Sequence, residues 1–246
     1  MTFLITSGGT AIPLDLVRSI RNMSTGTFGA KIATEALRLG HKVVFLKAKG
    51  SKSPFSQPLD FRYFSDMQRA TELRKLFNEY GTNYEEIEYT SFDDYAEMLP
   101  KLLAQYNPDI TILAAAVSDY KAKNVVNGKI RTKGDLTIEL EPLPKLISKV
   151  KEWNDHTLLV GFKLLVNSTD DELIDEAKKS ICKNGCDLVV ANDLRDIKQN
   201  DHRLHLVTPK EDDFNVLLLT HDKNDPNFLA RAVVAQATVM FSTRQS

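Results

Sequence analysis

The opening of the chain constrains its fold more than any other stretch. Phe3, Leu4, Ile5 and Thr6 read as a short buried strand, broken at once by Ser7, Gly8, Gly9 and Thr10, which tolerate a tight turn and let a backbone or ligand come close. A second polar loop from Asn22 to Gly29, carrying Ser24, Thr25, Gly26 and Thr27, directly precedes a helix with Ile32, Ala33, Ala36, Leu37 and Leu39 at helical spacing. Strand, glycine turn and amphipathic helix open a doubly wound α/β sheet, in which ligands sit at the carboxyl ends of the strands. Amides at the start of that helix favour an anion, so both loops suit phosphate. Neither is a Walker loop, because no G-x-x-x-x-G-K-[ST] run occurs.

The rest of the chain keeps this alternation. Val43 to Leu46 is a second buried strand, residues 51–59 with two prolines and three serines read as loop, and Phe61 to Phe64 is a candidate short strand. Asp66 can cap a helix through Leu73 and Phe77; a further strand, a helix capped within Ser91 to Asp94, and a continuous apolar strand from Asp109 to Ala116 follow. Residues 121–135 are basic, contain glycine and lack either period, so they read as a mobile loop, and residues 135–142 alternate like a half-exposed strand. Pro144 opens a helix through Ile147 and Val150, and Leu158 to Phe162 is another strand. Asp170 to Lys183 is an amphipathic helix and Leu188 to Ala191 a strand. His205 to Val207 with Phe214 to Leu219 suggests a hairpin, and Asp225 to Phe241 a closing helix. The expected fold is α/β, a Rossmann-like doubly wound and mostly parallel sheet with helices on both faces plus a small hairpin region, in one domain over 1–246.

Composition narrows the partners. With 32 basic and 33 acidic residues the formal charge is -1, which gives no footprint for nucleic acid or an anionic membrane. No apolar run approaches the ~20 residues of a membrane span. Cys182 and Cys186 are four apart, neither C-x-x-C nor part of a metal set, and fit reduced thiols in a cytoplasmic protein.

Four expected strand ends carry polar residues: Ser7 to Thr10, Ser118 to Tyr120, Phe162 with Lys163, and Asn192 with Asp193. In a parallel sheet these share one edge and can converge on one cleft. A nicotinamide dehydrogenase is the first guess for such a fold, yet no Asp or Glu lies between Gly40 and Leu59 to hold an adenine ribose, and no tyrosine has a lysine four residues on. A reductase reading therefore leans on Lys47 and Lys49 as contacts to a 2′-phosphate. A non-catalytic nucleotide-binding regulator is the other alternative.

The segments TSGGT, PLDLVRSIRNMSTGTFG, AAAVSDY, GKI, PKLI, VGFK and DLVVANDL, in that order from Phe3 to about Leu194, resemble the phosphopantothenate–cysteine ligase family. The resemblance implies joining of 4′-phosphopantothenate to cysteine through an acyl-nucleotide, with magnesium, in a homodimer. Because the chain starts at the ligase motif, it is similar to the free-standing form, for which no flavin is expected. CTP is the expected nucleotide and ATP the alternative.

The resemblance also implies residue roles. Lys129 matches the lysine that acts on the triphosphate during acyl-nucleotide formation, where two anions must approach. Asp119 matches the nucleotide-contacting aspartate, tolerable beside phosphates if it shares magnesium, and could otherwise be a cap. Asn22 matches the asparagine whose amide would steady the oxyanion formed when the cysteine amine attacks; on sequence alone it could also end a helix in the left-handed conformation. Ser24, Thr25 and Gly26, with Gly8 and Gly9, would hold phosphate. Ala114, Ala115 and Ala116 resemble the stretch that reads the base, Pro144, Lys145, Leu146 and Ile147 another nucleotide-contacting segment, and Phe162 a ring packing on the nucleoside or in the core. The chain departs from fused bacterial members at Leu165 and Val166, and at Ser180 and Asn184 where they carry nucleotide-contacting lysines.

Overall fold

Strand β1 (Thr2–Ser7) feeds both faces of the sheet, because successive side chains of a strand alternate: Phe3 and Ile5 enter one apolar layer and Leu4 the other. The computed structural model describes residues 1–55, 62–132, 134–198 and 202–245. After β1 come a small antiparallel hairpin, β2 (Ala11–Pro13) and β3 (Ser19–Arg21), then α1 (Thr27–Arg38), β4 (Lys42–Ala48), α2 (Phe64–Tyr80), β5 (Tyr84–Tyr89), α3 (Phe92–Tyr106) and β6 (Ile110–Leu113). An arm made of β7 (Tyr120–Ala122) and β8 (Leu140–Pro142) precedes a 3-10 turn (Leu146–Lys149), α4 (Val150–Trp153), β9 (Leu158–Leu165) and α5 (Asp170–Asn184). The chain closes with β10 (Leu188–Asp193), α6 (Leu194–Lys198), β11 (Arg203–Lys210), β12 (Asp213–Thr220) and α7 (Phe228–Gln245).

The main sheet runs β5-β4-β1-β6-β9-β10-β11-β12. Its first six strands are parallel, and β11 and β12 add an antiparallel hairpin at one edge. Apolar residues of α1 and α7 pack on one face; those of α3, α4 and α5 pack on the other. This is the expected Rossmann-like, mostly parallel α/β fold. The chain leaves β1 toward one neighbour and β6 toward the other, so the order reverses between β1 and β6, where a doubly wound sheet opens a crevice.

Helix boundaries follow their caps. Ser91 and Asp94 form a reciprocal capping box on α3, Thr169 and Glu172 do the same on α5, and Gly185 ends α5 at φ 66°. Helix α1 lies unusually close to β1: a Cβ on Gly29 would stand 2.4 Å from Ser7 Oγ and 2.7 Å from Ser7 Cβ. Gly29→Val is thus expected to push the helix off the strand and cost about 1–3 kcal/mol, read as a lower denaturant midpoint. An unchanged midpoint would contradict the close approach.

Several sequence expectations are corrected. Phe64 belongs to α2 rather than to a strand, Phe61 lies outside the described residues, and Asp66 sits inside the first turn while Tyr63 is the cap. The apolar run Asp109 to Ala116 stays in the sheet only over Ile110 to Leu113, because Ala116 turns away to bond the loop after β1. Of residues 135–142 only Leu140 to Pro142 form a strand, paired with β7, which ends inside the expected loop. Pro144 and Lys145 are an extended lead-in, and the turn starts at Leu146. Leu39 faces solvent, not the core, as the cap of α1.

Candidate active site

Two loops meet at the reversal between β1 and β6, and backbone bonds weave them together. The amide of Ala116 donates to Gly8 O at 2.7 Å, Thr10 N donates to Ala116 O at 3.3 Å, and Ala115 N donates to Thr6 Oγ1 at 3.3 Å. Ser118 N donates to Thr10 Oγ1, and that hydroxyl donates to Ser118 Oγ, both at 2.9 Å and both buried. Behind the loops the Tyr89 hydroxyl donates to Ser7 O at 2.9 Å, and that of Tyr95 to Thr6 Oγ1 at 3.3 Å. Burial pushes the Tyr95 hydroxyl up to about 12, so it stays a neutral donor.

Asn22 stands at the centre of this weave. Its Nδ2 donates to Ala116 O at 2.8 Å, and its own carbonyl accepts from Ser24 N at 2.9 Å. It follows β3 and does not have positive φ, so the helix-ending alternative is set aside. Gly9 must lack a side chain here, since a Cβ would lie 2.6 Å from Asn22 O. Gly8, at φ 83°, lets the first loop press on Ala48, and Gly26, at φ 74°, is the cap of α1, its carbonyl held by the Ser7 hydroxyl at 3.1 Å. Thr25 and Thr27 share a hydroxyl contact at 2.8 Å, while Ser24 is half-buried beside them.

Of the other expected site residues, Asp119 and Lys145 form an ion pair with each other at the root of the β7–β8 arm. Leu146 and Ile147 follow in the turn, which comes close to β9 because Gly161 has no side chain: a Cβ there would meet Ile147 Cδ1 at 3.2 Å. Phe162 is half-buried and stands edge-on to Phe28 with centroids 6.0 Å apart; Phe28 in turn meets the His202 ring at 5.4 Å. Ser180 and Asn184 hydrogen-bond each other at 3.1 Å on α5. Lys163 and Lys179 both pair with Glu176.

Lys129 is exposed and makes no hydrogen bond or ion pair among the described residues. Its neighbours are pinned nonetheless. Asp15, whose side chain is fully shielded, accepts from Val17 N at 2.7 Å, Arg18 N at 2.6 Å, Ile130 N at 2.9 Å and the Arg18 guanidinium at 3.1 Å. Leu16 N also donates to Gly128 O at 3.1 Å. The Ile130 amide, ahead of those of Val17 and Arg18 and against the effect of burial, holds the Asp15 carboxyl below its ordinary range. The turn between β2 and β3 therefore grips the loop that carries Lys129. Sequence reading missed this grip, although an aspartate two and three residues before acceptable amide donors, in PLDLVR, is an Asx-turn signal.

Asn192 and Asp193 lie within β10 rather than beyond it. Asn192 Nδ2 is 3.3 Å from His202 Nε2. Asp193 is buried and turned inward: burial pushes its carboxyl up, but the Ser168 amide and hydroxyl and the Arg195 and Asn167 amides outweigh this and hold it at about 2. Its stabilising bonds are complete above the unfolded value near 3.8 and are lost as pH falls through about 2. The stability gap between wild type and Asp193→Asn is thus expected to be full above about pH 4 and to close toward pH 2, followed by denaturant midpoints across that window.

Lys47 is not available to a 2′-phosphate. It is buried, bonded to Glu88 at 2.7 Å and close to Glu86 at 3.4 Å, which removes half the basis of a reductase reading. In the basic segment, Lys121 and Lys123 are exposed and pair with Glu141 and Glu139 across the arm, and Lys133 lies outside the described residues. Cys182 is exposed and Cys186 buried, both free thiols. Among the described residues no helix is long and apolar enough to cross a membrane.

The family model for the C-terminal domain of DNA/pantothenate metabolism flavoproteins matches residues 1–83 and 78–237. The chain belongs to this family. It is 33% identical over 204 residues to the coenzyme A biosynthesis bifunctional protein CoaBC of Thermococcus kodakarensis, covering 83% of this chain and 44% of that protein. It is 29% identical over 222 residues to phosphopantothenate–cysteine ligase 2 of Oryza sativa, covering 79% of this chain and 68% of that one. Among solved structures, the DNA/pantothenate metabolism flavoprotein of Streptococcus pneumoniae superposes with a TM-score of 0.76 at 28% identity, over 98% of this chain and 99% of that one. The chain therefore spans less than half of the bifunctional relative and about two thirds of the plant ligase.

Proposed function

We propose that this chain joins 4′-phosphopantothenate to cysteine at the expense of a nucleoside triphosphate. The observation that carries the reading is the Asn22 amide, fixed by Ala116 O at the sheet's reversal point, in a member of a family whose plant relative is named phosphopantothenate–cysteine ligase. In the first half-reaction the substrate carboxylate attacks the α-phosphate, an acyl-nucleotide forms and pyrophosphate leaves. Lys129 approaches the triphosphate from its gripped loop and offsets the charge that builds there. In the second, the cysteine amine attacks the acyl carbonyl, the amide bond forms and the nucleoside monophosphate departs. Asn22 retains an N–H unclaimed among the described residues; donated to the carbonyl oxygen, it stabilises the developing negative charge without adding a charge of its own.

The nucleotide lies along Ala114 to Ala116 and the turn at Pro144 to Ile147, with Phe162 against the nucleoside. Magnesium enters with the nucleotide. No cluster of three or more His, Cys, Asp or Glu among the described residues is disposed to hold a metal; magnesium carried by the nucleotide would keep phosphate and water ligands and would offset the phosphate charge. Asp119, now paired with Lys145, is the residue that would help hold the ion. CTP is the proposed nucleotide, and ATP the one it is compared with. A homodimer is supported by the exposed Val126, Leu136 and Ile138, which line a groove of about 440 Å3, the face a second copy would cover.

Pyrophosphate release by the purified protein with magnesium, 4′-phosphopantothenate and either CTP or ATP, with and without cysteine, tests the reading. Release that depends on every component supports it, and the faster nucleotide identifies the base. No release from folded protein removes it.

A further inference from the structure

On the β4 side of the reversal point, away from Phe162 and the arm, a cleft of about 390 Å3 opens between the loop after β3 and the loop after β4. Arg21, Lys49 and Lys52 line it together with the hydroxyls of Ser24, Thr25 and Ser51, and among the described residues no carboxylate does. None of the three cations has an ion pair among the described residues, whereas Lys47, two residues before Lys49, has two. The walls are tied to each other: Lys52 N donates to Thr25 O at 3.0 Å, Arg21 Nη2 donates to Lys49 O at 3.2 Å, and Ser51 Oγ donates to Ala48 O at 2.7 Å. Three positive side chains are thus held on two interlocked loops around a space with no counter-charge among the described residues. Burial first, and after it the charges of Lys52 and Arg69 against that of Asp225, push the Lys31 ammonium below its ordinary range.

Such a cleft suits a dianionic oxyanion, which takes charge-assisted bonds from several cations and fills its remaining lone pairs with hydroxyl donors. We infer that Arg21, Lys49 and Lys52 hold the terminal phosphate of a substrate, either the phosphomonoester of 4′-phosphopantothenate or the far end of the triphosphate. The inference rests on the ligase reading for the identity of the substrate, but not for the binding of phosphate itself. The loop after β3 begins at Asn22, and Gly9, which also lines the cleft, abuts the Asn22 carbonyl, so a phosphate seated here fixes one end of a substrate whose other end lies at the reacting centre.

Thermal shifts of the wild type with inorganic phosphate, against chloride at equal ionic strength, should show stabilisation that Lys49→Gln/Lys52→Gln and Arg21→Gln lose. Lys49→Arg/Lys52→Arg should retain it. In turnover, the glutamine double variant should raise the KM of one substrate at least tenfold with kcat little changed. A rise confined to phosphopantothenate assigns the phosphomonoester, and one confined to the nucleotide assigns the triphosphate. Absence of any phosphate effect on the wild type, or unchanged KM for both substrates in the double variant, overturns the inference. If the wild type binds phosphate through these residues yet turns nothing over, the cleft stands and the ligase reading falls.

Discussion

Lys129→Gln is expected to lower acyl-nucleotide formation by about 10²–10³-fold, the usual cost of deleting one group that meets charge developing in a transition state. The side chain is exposed and unpartnered among the described residues, so its loss should leave folding untouched and the whole effect should be chemical. Asn22→Asp should fail at the other half-reaction. A carboxylate can be placed where the amide stood, but it repels the oxyanion formed as the cysteine amine attacks, and it also faces Ala116 O without a proton to donate. The acyl-nucleotide should then form and accumulate. Quenched reactions analysed by mass distinguish the two variants; equal loss of both half-reactions in both would contradict the assignment.

Asp15→Asn is expected to reproduce much of the Lys129 defect from a distance. The carboxylate serves two segments 115 residues apart, one oxygen taking the Val17 and Arg18 amides and the other taking Ile130 N and the Arg18 guanidinium. An asparagine offers one acceptor and one donor, so an NH₂ group must face donors on one side. The loop carrying Lys129 is released from the β2–β3 turn as a result. Amide exchange across residues 126–130 should accelerate and the first half-reaction should fall at least tenfold, while stability drops by only several degrees. Unchanged exchange in that segment, with full activity, would show that Asp15 does not position the loop.

Much of the frame was legible because its apolar residues keep a period. Phe3 to Ile5, the stripe Ile32 to Leu37, and the capping pairs Ser91 with Asp94 and Thr169 with Glu172 carry their own local signals. Helix α2 was harder to bound, since Leu76 is its one buried residue among those described and FRYF reads as β-prone. The end of β6 was hidden for a different reason. Alanines 114–116 are as apolar as the strand before them, and only their bonds to Gly8, Thr6 and Thr10 take them out of the ladder.

At the site, residue types were legible and partners were not. Asn22 stands out in its motif, but its bond to Ala116 joins positions 94 apart. Asp15 with Ile130, and Arg21 with the Lys49 loop, are long-range pairings of the same kind, set by how the strands are ordered rather than by local pattern. Asp193 illustrates the converse. A polar residue at a strand's carboxyl end was expected to edge the cleft, and it is instead consumed by the Ser168 and Arg195 amides.

The proposed ligation requires both half-reactions of one chain. Its most direct test incubates the protein with magnesium, 4′-phosphopantothenate and CTP, then with ATP, first without cysteine and then with it, and follows the products by mass. An acyl-nucleotide is expected without cysteine, and its conversion to 4′-phosphopantothenoylcysteine and nucleoside monophosphate when cysteine is added. Folded protein that yields neither species with either nucleotide would contradict it.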